Sequence, residues 1–247
     1  MAGNRNNPRN VVRSASTRPK GLYLILALIA LAGGGALAYS VFKKPGGPAG
    51  TPVTVDPATI GPAQGYTIGK ADAPVKIVEF ADFECPGCAQ FATVTEPDVR
   101  KRIVDAGLAS FTFYDFPLPQ HKNSKAASLA AACAGDQSRF WEMHDRIFAG
   151  QDQWNTQAAD NPKPFFQKYA VDIGLNAQVW ETCYDSGKYN GRVLANLAEG
   201  ERRRVNSTPT FIIGDKMYPG ALPYDFLKAI VDSVSRAASP AAPAASQ

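Results

Sequence analysis

The chain has 247 residues, 45% of them apolar and 19% charged, ordinary values for a globular protein of one or two domains with a real core. Its net charge of +4 is unevenly placed: seven of the 26 Lys and Arg residues fall in residues 1–44, which hold no acid, so 19 basic residues face 22 acidic ones in the remainder, a net of −3. The basic character belongs to the N-terminal segment, and this argues against nucleic acid as a partner of the folded part.

Residues 1–20 form a basic segment, and residues 21–42 carry no charged side chain. As a helix those 22 residues would span about 33 Å, enough for a single transmembrane helix. Five basic residues precede the span, so residues 1–20 are expected in the cytoplasm and the rest of the chain outside it. The rival reading is a cleaved signal peptide, with LYLILALIALA as its apolar region and Ala36-Leu37-Ala38 as its cleavage site. The long basic stretch and the extent of the apolar run favour a retained anchor. Both readings place the residues after about 44 on the far side of the membrane. Residues 43–63, rich in Pro, Gly and small side chains, read as a flexible linker, and residues 236–247 as a disordered tail. There is no internal repeat.

The folded part is expected over residues 64–235. Residues 74–81 read as a buried strand, with Val75, Ile77, Val78 and Phe80 in one short run. Residues 85–105 read as a helix kinked at Pro97. LASFTFYDF is a second strand, β-branched and aromatic. From about 121 to 205 the pattern is helical, a block of four or five helices. Phe140, Met143, His144, Ile147 and Phe148 share one helical face there, as do Leu129 with Cys133, and Leu175 with Val179 and Cys183. Strand character returns as a hairpin of residues 210–213 and 216–218 around Gly214-Asp215, followed by an amphipathic helix in LPYDFLKAIVDSV. The order fits an α/β fold: a small mixed sheet with helices on both faces and an all-helical insertion between its halves.

The chemistry lies in VKIVEFADFECPGCAQF, where an apolar strand runs into Cys85-Pro86-Gly87-Cys88. Two cysteines spaced this way at a strand-to-helix junction are a thioredoxin-like redox signal. A cysteine at a helix N-terminus meets unpaired N–H groups and the positive end of the dipole, so its thiolate, the nucleophile of disulfide exchange, is favoured. Cys85 is therefore expected to attack, and Cys88, one turn on, to resolve the mixed disulfide. Pro86 suits a first helical position. A zinc site would need two further ligands. Cys133, Cys183, His121 and His144 contain no tight pair, so no metal or cofactor is expected. An inert structural bridge is the other alternative for the pair.

APVKIVEFADFECPGC, FWEMHDRIFAGQ and VNSTPTFIIGDKMYPGAL together resemble the DsbA-like thiol–disulfide oxidoreductases, in the membrane-tethered branch of extracytoplasmic thioredoxin-fold proteins. The resemblance runs over about residues 65–234. It implies a thioredoxin fold with an inserted helical domain and activity on protein thiols and disulfides. Substrate proteins outside the cytoplasm and a membrane redox partner follow from it, at a bacterial cell membrane crossed once. It also implies that Pro209 is a cis-proline facing the cysteines, which with Thr208 offers backbone groups to an extended substrate; sequence alone would make that bond trans. Glu79 matches the family's buried acid beneath the disulfide, where its pKa would be raised and it would exchange a proton with Cys88. The alternative for Glu79 is a boundary residue paired with Lys76 or solvated. The most strongly oxidising relatives carry a histidine between the cysteines, where this chain has Pro86-Gly87, and Glu84 beside Cys85 is expected to oppose a thiolate.

Cys133 and Cys183 lie on apolar helical faces, and in an oxidising compartment they are expected to form a structural disulfide, the alternative being two buried free thiols. His144 reads as a core histidine. His121, on a loop bordering the site, is assigned no role. Arg202-Arg203-Arg204 reads as charge placed at a helix C-terminus.

Overall fold

A computed structural model describes residues 62–238. The expected anchor, most of the linker and most of the tail lie outside the described residues. Among the described residues, no helix is long and apolar enough to cross a membrane.

The elements, in chain order, begin with β1 (Tyr66–Ile68) and β2 (Val75–Ala81), followed by a helix α1 over residues 86–104 and by β3 (Ala109–Asp115). Six helices come next: α2 (Ser124–Gly135), α3 (Phe140–Ala149), the single turn α4 (Gln151–Trp154), α5 (Lys163–Asp172), α6 (Ala177–Ser186) and α7 (Asn190–Arg202). The hairpin β4 (Thr210–Ile213) and β5 (Lys216–Pro219) and the closing helix α8 (Tyr224–Ala238) complete the fold. The sheet order is β1-β3-β2-β4-β5; β2 and β3 are parallel and the other pairs antiparallel. This is a thioredoxin fold with a helical insertion between β3 and β4. β1, an edge strand of three residues, was not expected from the sequence.

Alternation along β2 divides the core. Val75 and Ile77 pack with Phe91, Val99 and Ile103 of α1 and with Leu227 and Val231 of α8. Phe80, on the other face, packs with Phe116 and Val205. A third cluster joins the sheet to the insertion: Ala81, Phe83, Cys88 and Phe113 pack with Phe140, Met143, Ile147, Phe148 and Trp154.

α1 is not a plain helix. Two π turns interrupt it, at Phe91–Thr95 and Arg100–Val104. Pro97 has no N–H to give the preceding turn, and the Glu96 amide reaches back to the Phe91 carbonyl. The inward positions of α1 therefore run Cys88, Phe91, Glu96, Val99, Ile103, with one step of five residues. That step turns Glu96, rather than Thr95, into the core.

In α6, Asn176 is the N-cap, its side chain accepting the Val179 amide, so Leu175 lies before the helix. The expected face of Leu175, Val179 and Cys183 is corrected accordingly: Val179 is half-exposed, and Trp180 and Cys183 turn inward. Cys133 of α2 and Cys183 of α6 are joined by a disulfide, S–S 2.05 Å.

Candidate active site

β2 ends at Ala81, and the turn Asp82–Glu84 delivers Cys85 to the N-cap of α1, with Pro86 in the first helical turn. Cys85 and Cys88 are free thiols. Cys85 keeps 8% of its surface exposed and Cys88 none. The Thr208–Pro209 peptide bond is cis, and the Thr208 carbonyl oxygen lies 3.3 Å from the Cys85 sulfur. Gly87 eases this approach, since a Cβ there would stand 3.3 Å from the Pro209 ring, a tight contact.

The two thiols are pulled apart in acidity. Hydrogen bonding from the Cys88 thiol is the main influence that lowers the Cys85 pKa to about 5, aided by Thr208 and by the amides of Cys88 and Gly87, against the opposing effect of burial. Cys88 is pushed well up by burial, then by its interaction with Cys85 and by the charge of Glu79; the Asp82 amide, 3.5 Å from its sulfur, works the other way.

Glu79 lies on β2 between Ile77 and Ala81 on the face that α1 covers, with Phe113 and Phe211 as its cross-strand neighbours. It is only 2% exposed. Burial raises its pKa well above the usual carboxylate range, and Glu96 adds to the effect. The pairing with Lys76 is not made: Lys76 bonds the Ala71 carbonyl at 2.5 Å.

Glu84 is held by the insertion. Its buried carboxylate accepts the amides of Asn123, at 2.8 Å, and of Thr156, both in the insertion. Sequence adjacency suggested an acid opposing the thiolate; in the structure its carboxylate is taken up by two backbone amides. Asp82, unremarked in the sequence, organises the loop by accepting the amides of Glu84 and Leu118 and binding His121 Nδ1 at 2.7 Å. The bond with Asp82 raises the pKa of His121. Gln151 of α4 donates to the carbonyls of Phe83 and Cys85, at 2.7 and 3.1 Å. Two acids just ahead of the cysteine motif at a buried strand end were the available signal for this network, but their partners outside the loop lie at least 36 residues away, and only the fold identifies them. Among the described residues, no cluster of three His, Cys, Asp or Glu residues is arranged to hold a metal.

Residues 63–233 match the family model described as Thioredoxin. The chain belongs to the thioredoxin family. Its relatives include disulfide bond formation protein D of Bacillus subtilis, 26% identical over 171 residues, which cover 67% of this chain and 74% of that protein. They also include the Na(+)/H(+) antiporter NhaA 3 of Salinispora tropica, 31% identical over 175 residues, 70% of this chain. The chain spans about a quarter of the length of that antiporter, 25%. Among solved structures, Wolbachia pipientis alpha-DsbA1 superposes with a TM-score of 0.64 at 19% identity, covering 72% of this chain and 94% of that one. BdbD of Bacillus subtilis in its oxidised form gives 0.59 at 23% identity, covering 72% and 98%. The fold is thus that of the DsbA-type proteins.

Proposed function

We propose that this protein is a membrane-tethered thiol–disulfide oxidoreductase that exchanges disulfides with protein thiols outside the cytoplasm, using Cys85 and Cys88. The observation that carries the reading is the split acidity of the pair: an accessible thiolate at Cys85 against the Thr208–Pro209 backbone, and a buried neutral thiol at Cys88. The names of the DsbA-type neighbours and of disulfide bond formation protein D support it. A stabilised Cys85 thiolate favours the reduced enzyme, so protein thiols are the substrates to be oxidised.

A substrate thiolate attacks Cys85 of the disulfide form, a substrate–Cys85 bond forms, and Cys88 leaves as a thiolate. Glu79 gives Cys88 its proton. The second substrate thiolate then attacks the substrate sulfur of the mixed disulfide, and Cys85 leaves as the stable thiolate. Two electrons pass from substrate to enzyme, and a membrane redox partner removes them. Thr208 and Pro209 hold the substrate backbone during both attacks. The Cys133–Cys183 bridge is structural, and His121 holds the loop through Asp82.

The apolar span 21–42 supports a single anchor with residues 1–20 in the cytoplasm, a linker over 43–63, the catalytic domain over 64–235 outside and a tail over 236–247. A relative named for ion transport, in which the matching region is one part of a longer protein, supports a membrane setting. Non-reducing gels of carbonate-washed membranes from cells making Cys85→Ser or Cys88→Ser protein test the whole reading. Reductant-sensitive adducts are expected with Cys88→Ser and not with Cys85→Ser. Equal trapping by both refutes the assignment of roles. Trapping by neither, with no thiol oxidation by the unaltered protein, indicates a binding module. Adducts only in the soluble fraction refute the anchor.

A further inference from the structure

Glu79 can protonate Cys88 only once unless its own proton is replaced, and it is buried beneath the cysteines, facing away from solvent. The α1 side of the sheet offers a replacement route. Glu96, turned inward by the π turn, has Oε1 bonded to Arg100 Nε at 2.8 Å, while its Oε2 is buried with no hydrogen-bond partner. Opposite it, at 3.8 Å, is His144 Nε2, also buried and without a partner. That separation is roughly 1 Å longer than a hydrogen bond. A buried unpartnered acceptor and an unpartnered ring nitrogen facing each other are costly as pure structure, since buried polar groups are otherwise hydrogen-bonded. His144 also stacks edge-on against Phe113, the cross-strand neighbour of Glu79, with ring centroids 5.1 Å apart. Glu96 is near enough to Glu79 to raise its pKa, and His144 shares the Phe113 neighbour of Glu79.

The other side of His144 meets the surface. Its Nδ1 lies 2.8 Å from Asp145 Oδ1 and 3.2 Å from Arg100 Nη2. A carboxylate only accepts and a guanidinium only donates, so both tautomers of His144 have a partner at Nδ1. With a proton on Nδ1, Asp145 accepts it and Nε2 is free to take one from Glu96. With Nδ1 bare, an Arg100 Nη2 hydrogen otherwise given to Glu96 or Asp145 turns to it, and Nε2–H points at Glu96. Those are the two states a relay needs. Arg100 and Asp145 line an open cleft of about 660 Å³, with Ala92, Thr93, Lys101 and Asp105 along its walls. This cleft is lined by neither cysteine nor by the Thr208–Pro209 segment.

We propose that Glu96 and His144 form a proton conduit that connects the Glu79–Cys88 pair to solvent at the Arg100–Asp145 cleft, apart from the face that receives substrate. The inference rests on the reading of Glu79 as the proton donor to Cys88. On oxidation of substrate, Cys88 gains one proton from Glu79, Glu79 regains it from Glu96, Glu96 from His144, and His144 from water or buffer in the cleft. When the enzyme is reoxidised the same proton leaves by the same path. A substrate polypeptide covering the cysteines then does not block the proton. Glu96 and His144 are positioning residues that act through Glu79.

The test is single-turnover oxidation of a dithiol peptide, quenched with acid and read by mass spectrometry, from pH 5 to 8 in dilute and in concentrated imidazole buffer. Glu96→Gln and His144→Phe should slow turnover in dilute buffer on the order of tenfold, the low end of what a general acid–base contributes when lost. Imidazole reaching the cleft should restore a large part of the rate in His144→Phe and leave the unaltered protein unchanged. Should His144→Phe fail to fold, Asp145→Asn at the exposed end should show a smaller slowing with the same rescue. Wild-type rates in these variants overturn the conduit, and so does a slowing in His144→Phe or Asp145→Asn that imidazole does not relieve. Glu79→Gln separates the two levels. If it turns over at the wild-type rate, the reading of Glu79 fails and the conduit with it. If it is slow while the outer variants are normal, only the route is wrong.

Discussion

Cys85 owes its acidity to a handful of donors converging on one sulfur, the Cys88 thiol first among them. Because its pKa is lowered to about 5, the thiolate is complete at neutral pH. Alkylation of the reduced protein by iodoacetamide should therefore rise with pH through about 5 and level off by neutrality, the label residing on Cys85. Mass spectrometry of the peptides, with Cys85→Ser as the control that loses the plateau, reads it directly; a first rise near pH 8 would show an ordinary thiol. The linkage has a definite sign. An unfolded Cys85 binds a proton up to its ordinary pKa while the folded one does not, so reduced-state stability from this group is fully present above the unfolded value and vanishes as pH falls through about 5. The disulfide form lacks this contribution. Cys88, pushed upward, stays neutral across the same window.

At the scale of elements, the sequence announced what depends on short-range pattern and hid what depends on distant partners. β2, β3, the hairpin β4–β5 and α8 follow from alternation, β-branched residues, turn chemistry and helical period, and the redox motif at the head of α1 follows from its spacing. The phase of α1 did not, because its π turns answer both to Pro97 and to core contacts formed elsewhere. Glu96 was therefore invisible as a buried group. The face of α6 was misread because Leu175, counted with the helix, lies ahead of the Asn176 cap. The cis geometry at Pro209 was suggested by resemblance alone. The disulfide between α2 and α6 ties two insertion helices across a sequence separation of 50 residues. Replacing both Cys133 and Cys183 by Ala should cost on the order of 2–4 kcal/mol in urea unfolding, since the open chain regains loop entropy. The reactivity of Cys85 should be unchanged, because the groups that lower its pKa are Cys88, Thr208 and Gly87, none of them in the bridge. A loss under 1 kcal/mol, or a shift of the Cys85 plateau, would contradict this.

For the molecule as a whole, the question is whether the insertion moves as a lid or is part of the same body as the sheet. Phe83, next to the cysteine motif, has its ring 5.0 Å from Phe113 of β3 and 4.8 Å from Phe148 of α3. One cluster thus runs from the sheet through Phe83 into the insertion. Polar ties cross the same boundary: Glu84 to the amides of Asn123 and Thr156, and Gln151 to the carbonyls of Phe83 and Cys85. A lid would need few buried contacts and a small apolar interface, whereas opening here would expose Phe83, Phe140 and Phe148 and leave a buried carboxylate without its donors. The two parts should unfold together, with far-ultraviolet and aromatic signals losing amplitude in one coincident urea transition. Phe83→Ala should lower that transition by about 3–5 kcal/mol, the usual cost of emptying a buried aromatic site, without splitting it. The decisive measurement is hydrogen exchange on this variant. If amides of α2–α7 exchange at a lower free energy than those of β2 and β3, the insertion is a separately opening unit and the shared core is not what holds it. Equal protection across both means that the residues shaping Cys85 are set by a single fold, and that substrate meets a preformed site.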